Sequence, residues 1–112
     1  MERGEIVRVS LQESDGTIRA RPALLIRKIQ PYNDWLLCAI SGSIHLFQEE
    51  FDVLITREHP DFASSRLKHQ AIIRTGFLFT ISEIHIEGKI GTVSPDTFKT
   101  VINNLVSLIS NS

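Results

Sequence analysis

The stretch RARPALLI, Arg19–Ile26, decides how this chain folds, because it joins two arginines to an apolar run typical of a buried strand. A short apolar run of this length, bounded by turn signals, is the pattern of a strand covered on both faces. Pro22 has a fixed φ and no N–H, so we expect it at a strand entrance, with Arg21 held at an edge. There Arg21 would present a rigid fork of donors suited to a phosphate.

The residues around this stretch extend the β pattern through the first two-thirds of the chain. EIVRVSL alternates apolar and polar residues, and the turn residues of QESDGT follow, so a hairpin with RPALLIRK is predicted. REHPDFASSRLKH is predicted to be a polar connection. QAIIRTGFLFTI indicates two strands that meet near Gly76 or one strand bent there. Three further strands are predicted in WLLCAIS, at the end of IHLFQEEFDVLIT and in GKIGTV.

The C-terminal segment has a helical period instead. Ser94 and Pro95 form an N-cap and first-turn pair. The apolar residues that recur at spacings of three and four are Phe98, Val101, Ile102, Leu105, Leu108 and Ile109. The chain of 112 residues, 42% of them hydrophobic, suits one domain spanning residues 1–112. We therefore predict a mainly β (α+β) fold, a small barrel or sandwich closed by a C-terminal helix.

Composition excludes several classes of function. No apolar segment reaches the length of a membrane span, and the N-terminus does not resemble a signal peptide, so a cytoplasmic protein is expected. The single cysteine, Cys38, lies among apolar residues and is predicted to fill the core. The four histidines are scattered, so neither a metal site nor a cofactor is expected.

The distribution of charge is more informative than its total. A formal net charge of -1 argues against a protein that coats duplex nucleic acid. However, residues 62–82 contain no acidic residue and include Arg66, Lys68 and Arg74, which indicates either a local basic surface or an ordinary solvated polar face. Ser41 and Ser43, around Gly42, could hydrogen-bond a phosphate oxygen or could simply form a turn.

Taken together and in this order, these segments resemble the MazF/PemK/Kid family of toxin endoribonucleases from bacterial toxin–antitoxin systems. The resemblance runs from Met1 to about Ile109 and is carried by MERGEIVRVSL, RPALLI, CAIS, Arg74 ahead of FTI, GKIGTV and the C-terminal helix. It implies a small SH3-like β-barrel of the CcdB/MazF type with a terminal helix. It also implies a homodimer that cleaves single-stranded mRNA at specific sequences without a metal ion.

The resemblance also assigns residues. Arg21 matches the arginine that lies in the RNA-cutting groove of the family, Ser41 stands where a phosphate-contacting threonine is usual, and Arg74 matches the arginine on the strand before FTI. These three are the predicted catalytic residues. Predicted RNA contacts come from Arg19, Ser43, Lys68, His69 and Phe77.

The proton acceptor is left open by the sequence. Attack of a 2′-hydroxyl on its own phosphate needs a group that takes the proton, and an arginine is a poor base at neutral pH. His69, Glu5 and Arg21 are the candidates.

The sequence departs from the Kid type of this family at two places. The loop ESDGTIRA lacks the histidine of the Kid type, and Gly76 stands where those relatives carry an acid. A second hypothesis therefore stays open, in which the chain is a non-catalytic binding module for RNA or protein, or a topoisomerase poison like CcdB. In either toxin, a small acidic antitoxin is the expected partner.

Overall fold

The computed structural model describes residues 1–111 and shows one antiparallel sheet, curled into a half-barrel and closed by a C-terminal helix. The strands are β1 (Glu5–Gln12), β2 (Ile18–Ile29), β3 (Asp34–Ser41), β4 (Val53–Ile55), β5 (Ala71–Ser82) and β6 (Ile86–Thr92). Their order in the sheet is β4-β5-β3-β2-β1-β6. The α-helices are α1 (Phe62–Ser65) and α2 (Pro95–Ser110), and two 3-10 turns lie at Ile44–Leu46 and Glu83–His85. This confirms the predicted mainly β fold with a closing helix, and among the described residues no helix is long and apolar enough to span a bilayer.

Alternate residues of the strands build two apolar clusters, one on each face of the sheet. Ile6, Leu24 and Cys38 belong to the cluster that includes Val101 and Leu105 of α2. The other cluster contains Val7, Val9, Ala23, Leu25, Trp35, Leu37 and Ile86. Burial raises the pKa of the Cys38 thiol to about 12, as expected of a cysteine that fills the core.

The β2 strand separates from β3 at Pro22. The β2–β3 ladder begins at Ala23, which pairs with Ala39, whereas residues 18–22 pair with β1 alone. The Leu25 carbonyl accepts the Gly4 N–H at 2.9 Å, so the backbone groups of Leu25 face β1 and those of Leu24 and Pro22 face β3. Pro22 has no N–H with which to continue that ladder.

Three sequence expectations need correction. Arg21 does not lie at a strand entrance, since β2 begins at Ile18 and Arg21 pairs with Val9; it lies at an edge only on the side of β3. The polar connection before β5 contains the short helix α1. The last strand is longer than GKIGTV and begins at Ile86. The segment around Gly76 is a single bent strand, β5, as one of the two alternatives had it.

The N-terminus of α2 is held by the buried carboxylate of Asp61. Its Oδ2 atom accepts the backbone N–H of Ser94 at 2.9 Å and the Ser94 hydroxyl at 3.0 Å, while the Ser94 Oγ accepts the Thr97 N–H at 3.3 Å. Burial acts to raise the pKa of Asp61, but hydrogen bonds from Thr97 and Ser94 outweigh it and hold the pKa below the ordinary value of 3.8.

We predict that Asp61→Asn destabilises the protein by about 1–3 kcal/mol at neutral pH, because it removes a charged acceptor from a buried network. Since the pKa of Asp61 is lowered by folding, its stabilisation is complete above its ordinary value and is lost as the pH falls below it. The difference between wild type and variant in urea unfolding should therefore shrink toward pH 3. The matched control is Asp96→Asn, at an exposed carboxylate in the first turn of α2. Equal stability of wild type and Asp61→Asn at all pH values would contradict this role.

Candidate functional site

A cavity of about 460 Å³, here called the arginine cavity, lies where β2 has separated from β3. Sheet register explains its composition. Ala23 pairs with Ala39, which also pairs with Arg74, so these three residues lie in one row across the sheet. Arg21 and Ser41 lie two residues further along their own strands, and therefore on the same face. The cavity brings together the predicted residues Arg21, Ser41, Ser43, Arg74 and Phe77.

Arg21 is paired with Glu13, which also lines the arginine cavity. One carboxylate oxygen, Oε1, accepts from the Arg21 Nε at 2.8 Å and lies 2.6 Å from Nη2. Both side chains remain partly open to solvent, at 42% for Arg21 and 33% for Glu13. Glu13 uses one edge of the guanidinium, which leaves the Nη1 donors without a hydrogen bond to any residue in the described part of the chain.

The turn that carries Glu13 is closed by backbone hydrogen bonds. The Glu13 N–H donates to the Thr17 carbonyl at 2.7 Å, and the Gly16 N–H donates to the Glu13 carbonyl at 3.0 Å. Asp15 accepts both the N–H and the hydroxyl of Thr17, at 3.0 and 2.6 Å. This bonding fixes where the turn ends and so sets the position from which Glu13 reaches Arg21.

A bulge in β5 brings Arg74 and Phe77 to the cavity. The pairing with β3 jumps from Cys38–Leu78 to Ala39–Arg74, so residues 75–77 have no partner in β3. Thr75 is fully buried within the bulge, and its hydroxyl donates to the Phe51 carbonyl at 2.7 Å. The Arg74 guanidinium carbon lies 5.9 Å from the centroid of the Phe77 ring, in a cation–π arrangement. Bulges of this kind re-aim side chains next to functional sites.

Ser41 ends β3 and faces the same cavity. Its Oγ accepts the Ser43 N–H at 3.1 Å, which holds the Ser-Gly-Ser turn against the end of the strand. The hydroxyl hydrogen of Ser41 is not used in this bond and can be donated to a bound anion. Ser41–Ser43 is thus both a turn and a set of polar groups lining the cavity.

A second cavity of about 310 Å³, here called the basic cavity, adjoins the first, and Arg21 lines both. The predicted residues Lys68 and His69 line it. Arg8 and Arg66 add two further cations, and no carboxylate belongs to its lining among residues 1–111. A protein with a formal net charge of -1 thus concentrates positive charge along one surface, which favours an anionic ligand.

Two predicted residues lie elsewhere. Arg19 is exposed and pairs with Leu11 in the hairpin, and it lines neither of the two cavities. Glu5 is the first residue of β1, and its carboxylate contacts Lys89 at 2.8 Å and accepts the Glu2 N–H at 2.7 Å. The hydrogen bond from Lys89 lowers the pKa of Glu5, so this carboxylate belongs to an ion pair far from Arg21.

The sequence does not point to Glu13 or Arg8 as site residues, and it indicates Arg66 only as part of a basic stretch. Glu13 belongs to a turn, and its approach to Arg21 depends on the length and hydrogen bonding of that turn. Arg8 pairs with Pro22 in the sheet, a register that the β pattern alone does not give. Arg66 had one signal, its place in the acid-free stretch, and it adopts a left-handed backbone with φ of 57° at the end of α1.

The fold is shared with solved structures of toxins. An endoribonuclease in complex with its cognate antitoxin from a Mycobacterial species superposes with a TM-score of 0.74 at 14% identity, covering 100% of this chain and 97% of the other. Toxin MazF-mt6 of Mycobacterium tuberculosis gives 0.72 at 12% identity, with 96% and 98% covered. The MazE–MazF structure of Deinococcus radiodurans gives 0.68 at 18% identity, with 100% and 97% covered.

These structural matches show that the chain has the fold of MazF toxins. The family is shown by the sequence itself, since the family model described as "PemK-like, MazF-like toxin of type II toxin-antitoxin system" matches residues 2–109. The chain belongs to the PemK-like, MazF-like toxins of type II toxin–antitoxin systems. No curated protein matches the chain significantly.

Proposed function

We propose that this toxin is a sequence-specific endoribonuclease that cleaves single-stranded mRNA without a metal ion, with the arginine cavity as its active site. The observation that carries the proposal is the convergence of Arg21, Ser41 and Arg74 on one face of the sheet, in a member of the toxin family. Two solved relatives of the same fold are described as endoribonucleases.

The chemistry of the cavity suits attack of a 2′-hydroxyl on the adjacent phosphate. This attack builds negative charge on the phosphate oxygens, and two guanidinium groups held in place beforehand stabilise that charge. Arg21 offers its Nη1 donors, Arg74 offers the guanidinium held over Phe77, and Ser41 offers a hydroxyl. Arg21, Ser41 and Arg74 are accordingly the proposed catalytic residues.

The basic cavity extends the site along the strand. Because Arg21 lines both cavities, an RNA whose scissile phosphate sits at Arg21 passes from one cavity into the other. Lys68 and His69 would then contact a flanking phosphate. On the other side, Phe77 is 43% exposed, so its ring can stack on an unpaired base while Ser43 contacts the backbone. Arg19 would contact RNA only beyond the arginine cavity.

We predict that the purified protein, in excess chelator, cuts a long unstructured RNA at discrete sites and leaves 2′,3′-cyclic phosphate ends. Arg21→Ala and Arg74→Ala should each reduce the rate by about 10²-fold or more, the usual loss when a donor to a developing anion is removed. The matched control is Arg27→Ala, at an exposed arginine of β2 that lines neither cavity. Thermal unfolding should be similar in all three variants, because the Arg21–Glu13 ion pair is partly exposed and such a pair contributes about 1 kcal/mol at most.

Intact RNA in the presence of well-folded wild-type protein would contradict the nuclease. It would instead favour the alternative, a non-catalytic module that binds RNA or protein, or a CcdB-like toxin that poisons a topoisomerase. Cleavage that persists in Arg21→Ala would place the active site outside the arginine cavity.

The partners we propose are a small acidic antitoxin and a second copy of this chain, with the toxin acting on mRNA in the cytoplasm. Two of the solved structures with this fold contain an antitoxin. Five basic side chains line the basic cavity, and Arg74 adds a sixth in the arginine cavity. This surface suits a disordered acidic tail that competes with RNA. Apolar side chains on the outer side of α2, Val106 and Ile109, are 56% and 72% exposed and support burial against another chain.

Light scattering during a titration with a small acidic protein as the candidate antitoxin tests both partners. We expect a mass of two chains before addition, a larger complex afterwards, and release of bound RNA in step with complex formation. Arg21→Ala combined with Lys68→Ala should weaken the complex, whereas Arg27→Ala should not. A single-chain mass would contradict the homodimer. A complex that forms without release of RNA would contradict an antitoxin that competes with RNA for the same surface.

A further inference from the structure

We infer that Glu13 is the group that accepts the proton of the attacking 2′-hydroxyl. This inference rests on the proposed nuclease function and assigns the one role that the sequence left open. It adds a catalytic carboxylate, carried by the β1–β2 turn, to the three residues predicted from the sequence.

The arginine cavity offers few groups able to take a proton. Its charged lining residues, among the part of the chain described, are Glu13, Arg21 and Arg74. Guanidinium groups stay protonated in proteins, and a serine hydroxyl is a far weaker base than a carboxylate. Of the three earlier candidates, Glu5 is held by Lys89 at the other end of β1, and His69 lines only the basic cavity. Glu13 is therefore the strongest base among the described residues that line the arginine cavity.

The pairing of Glu13 with Arg21 also places the carboxylate correctly. Glu13 Oε1 lies within 2.8 Å of two nitrogens of the guanidinium, and the Nη1 side of the same group is open to a phosphate. The attacking 2′-oxygen lies only about 3–3.5 Å from the phosphorus in a reactive conformation. A phosphate seated on the Nη1 side of Arg21 thus holds its neighbouring 2′-hydroxyl close to the guanidinium that Glu13 also contacts, which puts the carboxylate in a position to serve as the general base.

The pairing further explains how the carboxylate is kept in place without excluding the substrate. The closed turn fixes the backbone of Glu13, while its side chain remains one-third exposed and can rotate. An incoming phosphate competes with Glu13 for Arg21 and frees carboxylate lone pairs for the 2′-hydroxyl. Arg74, across the cavity, then balances the charge of the phosphate.

The step is balanced without any co-reactant. Glu13 takes the proton of the 2′-hydroxyl as the 2′-oxygen forms its bond to phosphorus, and the bond from phosphorus to the 5′-oxygen breaks. The departing 5′-oxygen takes a proton from a solvent water, and Glu13 returns its own proton to solvent. The products are a 2′,3′-cyclic phosphate and a 5′-hydroxyl, with nothing oxidised or reduced.

Glu13→Gln tests this role, because the amide keeps an oxygen that accepts from Arg21 but cannot act as a base. We expect its single-turnover cleavage rate to fall by about 10²–10⁴-fold, the usual contribution of general-base catalysis. Its Kd for the same RNA carrying a 2′-O-methyl group at the cut position should stay within about threefold of wild type. Glu49→Gln, at an exposed glutamate that lines neither cavity, is the matched control and should cut at the wild-type rate.

The outcomes separate the inference from the proposed function. Wild-type cleavage by Glu13→Gln would overturn the inference while leaving the nuclease intact. A rise in Kd that accounts for the whole loss of rate would also overturn it, because Glu13 would then only position Arg21. Wild-type protein that cuts no RNA would remove the proposed function and the inference with it.

Discussion

The separation of β2 from β3 at Pro22 is the constraint on which the site depends. A proline has no N–H to continue the ladder, so β2 keeps β1 as its partner and leaves β3. The opening lies between Arg21 on one strand and Ser41 on the other. Both strands continue into the core at Ala23 and Ala39, whose side chains are buried. The proposed active site is therefore an interruption of the sheet that adjoins the packed core.

A second irregularity complements the first. The bulge in β5 leaves residues 75–77 without partners in β3, and the buried hydroxyl of Thr75 anchors the bulge by donating to the Phe51 carbonyl. What the bulge provides is an arginine and an aromatic ring on the face that Arg21 already occupies. Positive charge gathers here although the chain is nearly neutral overall, since its acidic residues lie mainly outside the two cavities. Glu13 is the exception, and its contact with Arg21 gives the cavity its only carboxylate in the described residues.

Regular features were predictable from the sequence, and irregular ones were not. Period-two and period-3.6 patterns gave the strands and α2, and the Ser94–Pro95 signal located the helix start. The family resemblance implied Arg21, Ser41 and Arg74 as site residues, and these three residues line one cavity. The short helix α1 lacked a periodic pattern of its own, and the extent of β2 before Pro22 depends on pairing with β1 alone. The contact between Glu13 and Arg21 could not be predicted, because it depends on the hydrogen bonds of the β1–β2 turn and not on the composition of that turn.

A crystal structure of the protein with an RNA that carries a 2′-O-methyl group at the cut position would show whether Arg21 and Glu13 act on the same phosphodiester. We expect the scissile phosphate on the Nη1 side of Arg21, with Arg74 and the Ser41 hydroxyl also in contact. We also expect the Glu13 carboxylate to have turned from Arg21 toward the 2′-oxygen. An RNA bound elsewhere, with the Arg21–Glu13 pair unchanged, would contradict both the proposed site and the role of Glu13.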